Sequence, residues 1–95
     1  MKEEQARAIG QDALIWLASQ PETLEPFLAA SGAAPESLRA QATDPEFLGA
    51  LIDFLLGAEA SVIALAEAVG RRPEALAADL ARARATLTGE TPSWT

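Results

Sequence analysis

Apolar side chains return at helical steps almost from the first residue. Ala6, Ile9, Ala13, Trp16 and Leu17 recur every three or four positions, with Glu3, Glu4, Gln11 and Asp12 elsewhere on the wheel, which predicts a helix over about residues 3 to 19. Pro21, with no N–H to leave unsatisfied and φ already fixed, suits the first position of a second helix whose stripe is Leu24, Phe27 and Leu28. Gly32 can end that helix by turning left-handed, and Pro35 then opens a short third helix around Leu38. Thr43-Asp44-Pro45-Glu46 is the clearest boundary in the chain: a capping carboxylate, a proline and an acid at the positive end of the next helix.

That fourth helix, about 45 to 56, is apolar around most of its circumference except for a stripe of Glu46, Ala50 and Asp53, so it is expected to run through the centre of the fold. After Gly57, Val62, Ile63, Leu65, Ala66 and Val69 mark a fifth helix, which Gly70 stops. Pro73 starts a sixth whose inward positions are Leu76, Leu80, Ala83 and Leu87. The pattern predicts an all-α fold: one compact bundle of five or six short helices over residues 1–88, followed by a flexible tail over 89–95.

Composition sharpens this picture. Alanine supplies 22 of the 95 residues and leucine 13, against 6 for valine and isoleucine together, a balance that favours helices over sheets. A 49% hydrophobic chain is too apolar to be intrinsically disordered, and a net charge of -7 is expected to keep it in solution. The stretch from Phe47 to Val69 is long enough to suggest a membrane span, but Asp53, Glu59 and Glu67 interrupt it at helical spacing, as two amphipathic helices would. No membrane association is expected. Met1-Lys2-Glu3-Glu4-Gln5 carries acids where an export signal needs basic and then apolar residues, and the absence of cysteine suits a reducing cytoplasm.

The chain also matches itself. Ala13-Leu14-Ile15 is matched by Ala50-Leu51-Ile52, and Gly32-x-x-Pro35-Glu36-x-Leu38-x-Ala40 by Gly70-x-x-Pro73-Glu74-x-Leu76-x-Ala78. The offset is 37 in the first match (13 to 50) and 38 in the second (32 to 70), so one inserted residue aligns both. Two related units, about 13–42 and 50–80, could pack face to face about a pseudo-twofold axis, with residues 3 to 12 capping one end; the competing explanation is chance similarity between alanine- and leucine-rich helices.

Candidate chemistry is sparse. Without histidine or cysteine the chain lacks the imidazole base, the thiolate nucleophile and two common metal ligands, so no enzyme, metal, cofactor or small-molecule substrate is expected. Asp44 is accounted for by capping, Glu46 by the helix dipole and Asp53 by the solvated stripe. Residues 65–84 have helix-turn-helix spacing, with Ala66, Gly70 and Leu76 placed to let two helices cross closely. Arg71, Arg72, Arg82 and Arg84 give residues 71–95 a charge of +1 (four basic, three acidic), against -8 for residues 1–70 (three basic, eleven acidic). Nucleic acid is nevertheless a poor partner for an acidic chain, Glu74 opposes phosphate at the start of the would-be recognition helix, and the same corner at Gly32 has no basic cluster.

Another protein is therefore the expected partner, through a helical face or corner. Phe54 and Leu56 on the flanks of the fourth helix are candidate contacts, with homodimerisation the simplest arrangement. Arg71 and Arg72 could hold a partner's acids or only serve as a solvated turn, and Trp94 in the tail could anchor a partner or fold back onto the domain. Arg82 and Arg84 are the contacts for the alternative, a DNA-binding regulator. Trp16 reads as a core residue.

Taken together, the run Gly32 to Ala42, Asp44-Pro45-Glu46-Phe47-Leu48, Leu51-Ile52-Asp53-Phe54-Leu55-Leu56, Glu59 and the Gly70-x-x-Pro73 corner resembles a small alphaproteobacterial family catalogued as domain of unknown function 3572. The resemblance covers about residues 8 to 87. It implies a cytoplasmic bacterial protein of helical fold and carries over no activity, cofactor or site residue.

Overall fold

Proline and glycine divide the chain into its helices. A computed structural model describes residues 1–89 and places α1 at Glu3–Ala18, α2 at Pro21–Ser31, α3 at Leu38–Gln41, α4 at Pro45–Leu56, α5 at Glu59–Val69 and α6 at Pro73–Thr88. A three-residue 3-10 turn, Pro35–Ser37, leads into α3. Pro21, Pro35, Pro45 and Pro73 each open an element, where a missing N–H costs nothing. Asp44 caps α4: its carboxylate accepts the Glu46 N–H at 3.0 Å. Among the described residues there are six α-helices and no strand, so the fold is an all-α bundle.

α1, α4 and α6 pack side by side as the centre of the molecule, and α5 crosses one end of α4 and α6. Every inward position expected of α6 is buried, and the Glu46, Ala50 and Asp53 stripe of α4 is the side that faces water. Leu48, Leu51, Ile52 and Leu55 of α4 are completely buried, each stabilising the fold by roughly 1.5–3 kcal/mol relative to exposure. Phe27 brings α2 onto this core, with its ring edge-on to Phe47 at 5.6 Å and to Phe54 at 5.3 Å. Small residues set how closely the helices approach: a Cβ on Gly10 would lie 3.0 Å from the Cβ of Leu48, so a side chain there would require Leu48 to shift by a few tenths of an ångström.

Two expectations change in detail. The first turns of α1 are part of the core rather than a cap on one end, because Ala6 is fully buried and Gly10 lies against Leu48. Trp16 is half-buried on the edge of the core, while Leu14, outside the expected stripe, is buried. Among the described residues no single helix is long and apolar enough to cross a membrane; α4 and α5 together have the apolar length, but they are bent by 106°.

Candidate functional site: an apolar groove with acidic edges

The corner between α5 and α6 is built by its backbone. Gly70 takes φ of 69°, a left-handed conformation that costs other residues a clash between Cβ and the carbonyl, and its N–H reaches the Glu67 carbonyl at 3.3 Å. The Arg71 N–H donates to the Ala66 carbonyl at 2.9 Å, closing the end of α5, and Pro73 begins α6 directly afterwards. Ala66, fully buried, allows α5 to lie close over α6. The helix-turn-helix spacing is thus realised as a tight corner between two helices.

Beside this corner runs an open groove of about 540 Å³, lined by Leu56 from the end of α4, Glu59, Val62 and Ile63 from α5, and Pro73, Glu74 and Ala77 from α6. Its lining is aliphatic apart from two glutamates, each in the first turn of its helix. Ile63 remains 40% exposed, whereas Val62 on the next position of the wheel is buried. A smaller slot of about 100 Å³ lies on the other side of α5, between Ile9, Asp12 and Ala13 of α1 and Leu65 and Val69.

The arginines singled out in the sequence are mostly occupied within the domain. Asp79 accepts Arg71 at 2.6 Å and Arg82 at 2.7 Å, fastening the corner to the body of α6. The hydrogen bond from Arg71, reinforced by Arg82 and opposed by partial desolvation, holds the Asp79 carboxyl below its ordinary value of 3.8. Arg84 pairs with Asp53 at 2.5 Å and joins α6 to α4. Arg72, immediately before Pro73, is exposed and makes no ion pair among the described residues.

Of the apolar candidates, Leu56 lines the groove, and Phe54 is half-buried against Phe27 rather than part of the groove lining. Trp94 lies outside the described residues. Sequence reasoning missed Ile63 as a surface residue and Glu59 and Glu74 as a pair. The available signal was that α5 carries more apolar side chains than one face can bury, with an acid in its first turn.

The molecule is a small all-α domain with an open, largely aliphatic groove at a helical corner. The sequence model of the family described as Protein of unknown function (DUF3572) matches residues 3–90, and the chain belongs to that family. No curated protein and no solved structure matches it.

Proposed function

We propose that the chain is a non-catalytic docking module that binds another protein through the groove at the α5–α6 corner. The observation that supports this reading is the aliphatic lining left open beside the corner: Leu56, Val62, Ile63, Pro73 and Ala77 converge there, and Ile63 keeps 40% of its surface exposed. Arg72 precedes Pro73 in the chain and is exposed, outside the groove lining. The bacterial cytoplasm, the setting that the family resemblance implies, is where this docking would occur.

A second copy of the chain is a poorer occupant than a different protein, because a shared groove would bring like-charged Glu59 and Glu74 rims together in a molecule already at -7. The DNA-binding alternative has the corner geometry in its favour. Against it stand the ion pairs that engage Arg82 and Arg84, and an exposed side of α6 made of Glu74, Ala75, Ala78 and Arg82.

The test is affinity capture from the native host with three baits: wild type, Ile63→Asp in the groove, and Ile15→Asp. Ile15 is 70% exposed and does not line the groove, so it controls for loss of any apolar surface residue. A partner held by wild type and Ile15→Asp but lost with Ile63→Asp supports the reading. A partner indifferent to Ile63, or lost only with Ile15→Asp, removes it.

A further inference from the structure

If the groove is a docking site, its lining also specifies the chemistry of what enters. Its apolar floor is aliphatic, with no aromatic platform for stacking a base or sugar, and the polar side chains that line it are two carboxylates, Glu59 and Glu74. Carboxylates at the rim repel phosphate and anionic lipid and attract ammonium and guanidinium groups. An open trough between helices suits the ridge of another helix, which presents side chains at three- and four-residue steps.

We propose that the groove takes an amphipathic helix of a partner protein, with leucine-like residues on its inner face and lysine or arginine along its flanks. The apolar side chains enter between Leu56, Ile63 and Ala77, and the flanking cations meet Glu59 on one helix and Glu74 on the other. The pairing is selective in sign: a helix flanked by acids would meet two like charges and the net -7 of the chain.

This inference rests on the docking reading, and the experiment separates the two. The probe is a synthetic amphipathic helix of about four turns, with leucines on one face and lysines on its flanks, compared with twins carrying glutamate or glutamine in place of lysine. Binding is followed by amide NMR of the isotope-labelled chain. The lysine helix is expected to shift the amides of Leu56 to Ile63 and of Glu74 to Ala77, and the combined change of Glu59→Gln and Glu74→Gln to weaken it roughly three- to tenfold, as two exposed ion pairs would.

Ile63→Asp distinguishes groove docking from diffuse attraction, since it adds a negative charge: docking falls by about tenfold or more, whereas mere electrostatic adherence would strengthen. The amide spectrum of each variant confirms that it remains folded. Groove shifts that are as strong with the glutamate or glutamine twin overturn the cationic partner but leave the docking site standing. Shifts scattered over the acidic surface, or binding that grows with Ile63→Asp, overturn both.

Discussion

The corners at Gly32 and Gly70 begin alike and end differently. Both glycines are left-handed, at 74° and 69°, and both are followed by an extended residue and a proline that opens the next element. From Pro73 the helix runs for 16 residues, and Leu76, Leu80, Ala83 and Leu87 enter the core. After Pro35 there is only a 3-10 turn and a four-residue helix, held by half-buried Leu38 and by a hydrogen bond from the Gln11 side chain to the Ala42 carbonyl at 2.9 Å. The short element ends at Gln41, and Asp44, extended at φ -81° and ψ 115° before Pro45, already serves as the cap of the next helix. A corner motif specifies a turn; what it builds depends on the apolar positions and caps that follow it.

The largest test of this contrast is the matched pair of leucines. Leu76→Ala should lower unfolding free energy by about 2–5 kcal/mol and Leu38→Ala by about 1 kcal/mol, measured by urea denaturation. Equal losses would mean that the first corner carries as much of the core as the second. Next come the glycines. No atom lies within 4 Å of a Cβ built on Gly32 or Gly70, so alanine at either costs only the left-handed backbone, about 1–2 kcal/mol, and the two losses should agree. A clear inequality would show that the corners differ in their turns as well as in the helices they lead into.

Asp44→Ala, removing the cap that starts α4 just after the first corner's short helix, should lower the melting temperature by the equivalent of about 1 kcal/mol. The smallest effect is at Asp79, which belongs to the second corner alone. Its carboxyl is depressed by Arg71 and Arg82, so it favours the folded state above its ordinary 3.8 and loses that contribution as pH falls through the lower folded value. Wild type should therefore exceed Asp79→Asn in stability at neutral pH, with the gap closing in acid. A gap unchanged down to the acid limit would contradict that origin.

Much of the fold was legible because it is local. Asp44-Pro45, the Glu46, Ala50 and Asp53 stripe, and the four inward positions of α6 need only neighbouring residues and the helical period. The internal match was legible as sequence but not as environment: Ile52 is fully buried whereas Ile15 is 70% exposed, and Ala13 is buried whereas Ala50 is exposed. Those triplets sit on helices rotated differently against the core, which a self-comparison cannot show.

The site was less legible, and for a similar reason. Leu56 could be named because it flanks an apolar helix, but the groove exists only because α5 turns 106° from α4 and brings Ile63 opposite Ala77. Glu59 and Glu74 each read as an ordinary acid of a first helical turn, and nothing in their spacing reveals that they share a groove. The engagement of Arg84 by Asp53 is likewise a product of packing between α4 and α6.

The most direct measurement of the docking claim is hydrogen–deuterium exchange of the chain, free and bound to its captured partner. Docking in the groove predicts slowed exchange over residues 56–63 and 74–77, beside the second corner, with residues 32–41 unchanged. Protection centred on residues 32–41, or on the Ile15 side of α1 with none beside Ile63, would contradict it.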